Sequence, residues 1–408
     1  MNILAINCGG ASVKFLVSPP GAGAAQRGSQ GWLARGRVEG LGRDAVLHVQ
    51  PAVGVPVERK VRTPDLEAAV REIIGWCRES GLPLDAAGYL LPRGGERFAR
   101  SILVDEAVSA SLESLEDPAP RQNAAGLAGL REAHALLGRD TPIVAVFDDA
   151  FHVTMPERAC LYALPRENSR RPTIRRHGSH GVSYRYLVER YSHLTGVPVD
   201  RTALVAFHLG RSCSAAAIAG GRSIDTSSGF SALEGLVTAT GCGDLDPSVV
   251  GHLARAHGMS IDAVERYLGE KSGLLGLSAV SQDLRELVAR ESSGPSARLA
   301  VDLFTYRARK YLGAYLAALG GADAVVFSGG IGENIPSIRQ RICEGAEWCG
   351  LQLDSAANRR AAGVEAEIGA RASRLRAFVI PTDEEGVIAR ETAACLQAAA
   401  RGGAAVAG

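Results

Sequence analysis

Hydrophobic and polar positions alternate with a period of two over residues 1–17. NILAIN and SVKFLV stand on either side of a glycine-containing break, which predicts a β-hairpin whose tight turn carries Asn7, Gly9, Gly10 and Ser12. Residues 19–29 are rich in Gly, Ala and Pro and read as a loop. Over residues 64–80 the period changes. Leu66, Val70, Ile73, Ile74 and Cys77 fall at helical spacing and predict an amphipathic helix. Two apolar runs read as buried strands: residues 141–147 (TPIVAVF), ending at Asp148, and residues 202–208 (TALVAFH), ending at a glycine turn. A long proline-free helical pattern over 297–319 leads into a strand at 322–328 and a turn at 329–334. A last strand spans 377–381 and ends at 382–385. The Gly/Ala-rich tail, 401–408, reads as a frayed end.

One weak internal repeat is present. AINCGGASVKFLV (5–17) and AFHLGRSCSAAAI (206–218) share an order of parts: apolar strand, polar residue (Asn7 or His208), glycine, small residues, second strand. Such turns expose backbone N–H groups to an anion, and two facing copies can hold a polyphosphate. Two ordinary hairpins would give the same pattern.

Composition narrows the class. The 408 residues are 46% hydrophobic and suffice for two or three domains with real cores. Forty-five basic against 44 acidic residues leave a net charge of +1, which argues against a nucleic-acid or polybasic membrane binder. No apolar run reaches the length of a membrane span, and the N-terminus lacks the basic and apolar regions of a signal peptide. Eight scattered cysteines without a C-x-x-C pair read as reduced thiols of a cytoplasmic protein. Only Lys14, Lys60, Lys271 and Lys310 are lysines, a bias that carries no function. There is no P-loop, GGIGEN lacks the third glycine of a dinucleotide fingerprint, and His177 with His180 finds no partners in sequence for a zinc set.

Longer segments point further. INCGGASVKF (6–15), VAVFDDAFHVTMP (144–156), FHLG (207–210), SSGFSALEGL (227–236), CGDLDP (242–247), KSGLLGLS (271–278), VVFSGGIGENIPSIRQRI (325–342) and FVIPTDEEGVIARET (378–392) together resemble the acetate kinase (acetokinase) family over about residues 1–395. The resemblance implies the α/β sugar kinase–Hsp70–actin superfold, with two ribonuclease-H-like domains around a cleft. Residues 1–150 plus 384–408 would form the N-terminal domain. Residues 151–383 would form a nucleotide-binding and dimerisation domain. It also implies a cytoplasmic homodimer that transfers a phosphoryl group between ATP/ADP and a short carboxylate, or its acyl phosphate, with Mg²⁺. No nucleic acid or membrane enters this reading.

Carried over position by position, the resemblance assigns Asn7 and Glu384 to the metal, both oxygen donors suited to a hard cation. It assigns Lys14 to nucleotide phosphate and Asp148 to the catalytic aspartate. His180 and His208 approach the transferring group, and Gly210 belongs to the phosphate turn. Asp283 and Arg285 lie on the ribose and adenine side, and Gly330, Ile331, Gly332, Glu333 and Asn334 form the adenosine loop.

The acceptor half departs from that pattern. Where the family has H-R-V-V-H-G-G, residues 89–95 read YLLPRGG, so the substrate-binding arginine is Leu90. T-R-C-G is TGCG, so the transition-state arginine is Gly241, and P-L-H-N is PRQN, so the histidine is Gln122. The four apolar pocket positions are Pro92, Arg121, Ser179 and Ala232, and Arg211 and Ser212 stand where the phosphate turn usually has Asn and Gly. An arginine aimed at a transferring phosphoryl group is worth roughly 10³–10⁵ in rate. Three outcomes are open: an acceptor site rebuilt for another acid, with Arg93, Arg121 or Arg211 as replacement cations; a nucleotide-binding pseudoenzyme acting through a protein partner; and a weak conventional acetate kinase. On a strand, positions 90 and 93 face opposite ways, so Arg93 replaces Leu90 only if Pro92 bends the chain.

Overall fold

The computed structural model describes residues 1–9, 12–20, 31–42, 44–95, 97–115, 120–169 and 174–406; the side chains of 120–122, 169 and 402–406 lie outside the described set. The chain divides into two compact units, one made of Met1–Phe151 with Asp383–Gly408, the other of His152–Thr382.

The first unit is built on eight strands: β1 (Ile3–Cys8), β2 (Ser12–Ser18), β3 (Ala34–Glu39), β4 (Ala45–Pro51), β5 (Val57–Val61), β6 (Ala86–Leu91), β7 (Ile102–Leu103) and β8 (Ile143–Phe147). Their order is β5-β4-β3-β2-β1-β6-β8-β7. β1 pairs antiparallel with β2 and parallel with β6, which pairs parallel with β8. β6 and β8 are buried along their whole length, and β1 nearly so, as strands covered on both faces must be.

Two helices clasp β6. Neighbouring residues on a strand face opposite ways. At Gly88 an added Cβ would lie 2.0 Å from Thr392 Oγ1 and 2.9 Å from Ile388 Cγ2, in the C-terminal helix Glu384–Val406. At Tyr89 the hydroxyl would lie 2.1 Å from a Cβ added at Gly129, in the helix Pro120–Leu137. The helix Leu66–Glu79 packs on Pro120–Leu137. It is capped by Asp65, which accepts from Ala68 N, and it buries Val70, Ile73, Ile74 and Cys77, the stripe that its periodicity predicts.

The second unit holds β9 (Ala203–Leu209), β10 (Cys213–Ala219), β11 (Arg222–Thr226), β12 (Ala324–Ser328), β13 (Ala366–Glu367) and β14 (Arg376–Val379), in the order β11-β10-β9-β12-β14-β13. β9 pairs antiparallel with β10 and parallel with β12, and β12 parallel with β14. The run β11-β10-β9-β12-β14 therefore repeats β3-β2-β1-β6-β8 in order and direction, and the two similar sequence segments are its equivalent hairpins. The helix Pro295–Leu319 covers one face, burying Val301, Phe304, Ala308, Leu312 and Tyr315 at spacings of three or four, with Ala300 beside them.

Four expectations change. Residues 329–334 form a helical turn, Gly329–Asn334, because Glu333 Oε1 accepts from Gly329 N and closes its first turn. The last strand is short, Arg376–Val379. The tail read as frayed continues the final helix to Val406. β3, β4 and β5 were not predicted. Most of the loop expected at 19–29, and Gly10 of the hairpin turn, lie outside the described residues. All eight cysteines are free thiols.

Replacing Gly88 by valine should drive the C-terminal helix off β6. We expect a loss of about 1–3 kcal/mol, the usual range for overpacking, read from the midpoint shift in urea unfolding.

Candidate functional site

In the first unit the hairpin register sets the chemistry. Asn7 on β1 lies opposite Lys14 on β2 and beside Leu90 on β6. Directly paired residues project to the same face. Asn7 is buried, and its Nδ2 donates to Glu384 Oε2 (2.7 Å) and to Glu385 Oε1 (2.8 Å) at the start of the C-terminal helix. Lys14 Nζ stands 3.9 Å from Glu384 Oε2. Glu385 was missed by the sequence reading; the signal available was an adjacent acidic pair opening a helix. Burial pushes the Glu385 carboxyl up, Lys14 pulls it down, Glu384 pushes it up again, and the Asn7 hydrogen bond lowers it.

These residues fit a divalent cation. Two neighbouring carboxylates share one amide N–H₂ group, which is fully spent on them, leaving carboxylate oxygens and Asn7 Oδ1 as hard donors. Among the described residues no three His, Cys, Asp or Glu side chains gather in a metal-holding cluster, so a cation here would keep several waters.

Asp148 follows β8, its N–H donating to Leu91 O (3.0 Å). The next residue, Asp149, is buried; its carboxylate accepts from Gly94 N (2.9 Å) and Gly95 N (3.3 Å) and so fixes the turn after β6. Asp149 was also missed by the sequence reading.

In the second unit the residues matched to phosphoryl transfer form one cluster. His180 takes the left-handed conformation (φ 57°) as the N-cap of Gly181–Thr195. Its ring stacks on His208, with centroids 4.0 Å apart and planes 12° from parallel. His180 Nδ1 is 2.7 Å from Ser214 Oγ, which is 2.6 Å from Tyr184 Oη, and His180 Nε2 is 3.0 Å from Ser212 Oγ. His208 and Ser214 are partners in the β9–β10 register. The turn between these strands is tight, with Gly210 N donating to Ser212 O (3.0 Å), and Arg211 and Ser212 are exposed at its tip.

His152 holds this cluster from behind. It is fully buried, with Nδ1 2.8 Å from Ser223 Oγ and Nε2 2.9 Å from the Ser179 carbonyl. Its ring packs on Gly178 (φ 87°), where a Cβ would lie 2.4 Å from His152 Cδ2. Burial pushes the His152 imidazole down to about 4, against the opposing pull of the Ser179 carbonyl.

The helix Gly329–Asn334 starts where β12 ends, beside the β9 turn: a Cβ at Gly329 (φ 76°) would lie 2.5 Å from Leu209 O. Gly330 and Asn334 are exposed, Ile331 is partly buried on the core, and Gly332 is buried. Glu333 is turned inward, accepting from Gly329 N and Thr382 N. Asp283 and Arg285 are exposed, and Asp283 Oδ1 caps Leu284–Arg290 by accepting from Arg285 N.

Of the positions matched to the acceptor side, Leu90, Pro92, Arg93, Arg121 and Gln122 belong to the first unit and Ser179, Ala232 and Gly241 to the second. Leu90 is buried in β6, which ends at Leu91. Pro92, partly buried, and Arg93, buried, therefore lie past the strand, where alternation of faces no longer governs their direction. Asn123 Nδ2 lies 3.4 Å from the Arg93 carbonyl. Arg121 and Gln122 fall in the helix Pro120–Leu137, with side chains outside the described residues. Ser179 Oγ bonds Ser228 Oγ (2.7 Å), and Ala232 is exposed. Gly241 has an ordinary backbone outside the left-handed region, but a Cβ there would come within 2.8 Å of Thr238 Oγ1.

Two duplicated β-hairpin sheets, with histidines and a glycine-rich helical turn at the strand ends, define a kinase-type α/β protein of the sugar kinase–Hsp70–actin superfold. The chain belongs to the acetokinase family, whose model matches residues 2–390. It is 42% identical over 409 residues to the acetate kinase of Solibacter usitatus, covering 97% of this chain and 98% of that one. The crystal structure of Porphyromonas gingivalis acetate kinase is similar at TM-score 0.85 and 36% identity, covering 97% of this chain and 99% of that one. That of a propionate kinase from Francisella tularensis is similar at TM-score 0.87 and 30% identity, covering 96% and 99%. No helix among the described residues is long and apolar enough to cross a membrane.

His152 makes a pH prediction. Its folded pKa lies below the ordinary histidine value of about 6.5, so the unfolded chain binds the extra proton. The stability it contributes is full above pH of about 6.5 and is lost as pH falls toward about 4. A shift of that size corresponds to about 3 kcal/mol. His152→Gln should remove this component, so the difference between wild-type and variant unfolding free energies should shrink across that window and stay flat above it.

Proposed function

We propose that the protein is an acetate-kinase-like phosphotransferase that moves a phosphoryl group between ATP/ADP and a carboxylic acid or its acyl phosphate, with an acceptor other than acetate as its efficient substrate. The observation that carries this reading is the contrast between the two ends of the chemistry. Asn7, Lys14, Glu384 and Glu385 retain a charged, oxygen-rich cluster. By contrast, Leu90, the position matched to the acceptor-binding arginine, is a buried aliphatic side chain directly beside Asn7 in the sheet.

Asn7, Glu384 and Glu385 would hold Mg²⁺, which when bound neutralises phosphate charge. Lys14 adds a cation at the same face of the hairpin. On the other unit, the exposed Gly330 and Asn334 with Asp283 and Arg285 are the groups proposed to bind the nucleoside. His180 and His208 offer ring nitrogens to the transferring group, and Asp148 is the proposed catalytic carboxylate. Phosphoryl transfer depends mostly on positioning and charge neutralisation, so the acceptor end is where this chain loses rate. The hydroxyl of Ser179, where an apolar wall is matched, with its partner Ser228 Oγ, favours an acid with a polar substituent. A cytoplasmic homodimer formed through residues 151–383 belongs to the same proposal and rests on family membership.

The test is a Mg-ATP-dependent phosphoryl-transfer screen over carboxylic acids. Acetate should be used at least a thousandfold less efficiently, by kcat/KM, than an acid carrying a hydroxyl or second carboxyl group. Ordinary acetate turnover would show a conventional acetate kinase, and nucleotide binding without turnover of any acid would show a pseudoenzyme.

A second expectation concerns charge. The double change Leu90→Arg with Gly241→Arg should raise acetyl phosphate formation measurably, because guanidinium forks bind carboxylate and phosphoryl oxygens bidentately. The gain should stop well short of a full enzyme, since the new side chain at 241 must displace Thr238 Oγ1.

A further inference from the structure

We propose that Ser212 is a phosphoryl acceptor, so that the protein phosphorylates itself at the tip of its own phosphate turn. This rests on the nucleotide reading above and goes beyond it. Ser212 Oγ is exposed and 3.0 Å from His180 Nε2. His180 Nδ1 is in turn 2.7 Å from Ser214 Oγ, and that hydroxyl is 2.6 Å from Tyr184 Oη. Ser214 is fully buried. In one proton order that these contacts allow, Nδ1–H donates to Ser214 Oγ, Ser214 donates to Tyr184, and Nε2 is left as the acceptor for the Ser212 proton. A serine hydroxyl bonded to a histidine whose other nitrogen is itself oriented is the arrangement of an activated nucleophile. The left-handed backbone at His180 and the stacked His208 ring fix the imidazole in that orientation.

The placement supplies the donor. Ser212 stands in the turn after β9, and the parallel neighbour β12 ends at the same level, His208 beside Ser328. The helix Gly329–Asn334 begins there, against Leu209. Exposed Arg211 adds a cation next to the hydroxyl. In the step, Ser212 Oγ bonds to the γ-phosphorus of ATP while the bond from that phosphorus to the β,γ-bridging oxygen breaks. ADP leaves with the electron pair, and the Ser212 proton passes to His180 Nε2 and then to solvent. The product is a phosphoserine carrying about −1.5 to −2 charges, which occupies the turn and repels a second nucleotide phosphate.

The experiment incubates the full chain with Mg²⁺ and ATP labelled in the γ-phosphate, with nucleotide binding measured in parallel by calorimetry. We expect an acid-stable, alkali-labile label that mass spectrometry places on Ser212. Ser212→Ala should lower labelling at least tenfold, and His180→Gln should slow it about a hundredfold or more, as loss of a general base does. Binding of Mg-ATP without label, a label on another residue, an acid-labile label on histidine, or equal labelling of Ser212→Ala would each overturn the proposal. Failure to bind any nucleotide would overturn it together with the nucleotide reading, and the calorimetry separates that result from the others. The mapped site in the wild-type chain needs no variant to fold.

Discussion

The chemistry of this chain depends on parallel pairing at the ends of two strands in each sheet. Parallel strands bring their C-terminal ends to one edge, and it is at these ends that open α/β sheets place ligands. In the second unit, His208 pairs beside Ser328, so the turn Gly210–Arg211–Ser212 and the helix Gly329–Asn334 emerge together. That closeness has a steric condition. Gly329 sits at φ 76° against the Leu209 backbone, and no side chain could be accommodated there without moving one strand relative to the other. In the first unit the same pairing puts Asn7 beside Leu90, and Asp148 just beyond the end of β8.

Around these ends, polar groups are held mainly by other polar groups of the same unit. Asn7 bridges two carboxylates, Asp149 ties down the Gly94–Gly95 turn, and His152 anchors the Ser179 carbonyl. A buried polar group costs stability unless it is paired, and each of these is paired in a way that also fixes a neighbouring backbone segment. His180 shows the same economy at higher strain. A non-glycine residue in the left-handed region is uncommon, and here its ring is held by hydroxyls on both nitrogens and by the His208 ring. These groups are thus tied into the fold, whereas the side chain of Leu90 only fills space beside Asn7 and Gly241 has none.

What could be read from sequence follows the same division. The hairpin at 1–17, the helix Leu66–Glu79 and the helix Pro295–Leu319 have strong local periodicity, and the structure contains all three. The repeat of 5–17 at 206–218 was visible as an order of residue types, and it marks a five-strand duplication that no single segment reveals. A glycine-rich segment misled: GGIGEN reads as a turn, yet Glu333 folds back to cap it and makes it helical. The helix Pro120–Leu137 was not predicted, and within it Gly129 lies where Tyr89 leaves no room for a side chain. Glu385 and Asp149 were missed because each follows an acidic residue already given a role, and only the folded chain shows that Glu385 shares Asn7 with Glu384 and that Asp149 holds the Gly94 amide.

The duplication also explains why the two hairpin turns can diverge in use. The same order of parts, strand, turn, strand, presents different chemistry according to the last residue but one of the first strand. Asn7 at the first turn contributes an amide that gathers carboxylates and suits a cation. His208 at the second contributes a ring that stacks on another imidazole, beside a turn bearing Arg211 and Ser212 and suited to an anion. The side chains set the difference, and at Ser212 a single hydroxyl stands against the His180 imidazole at the tip of the second turn.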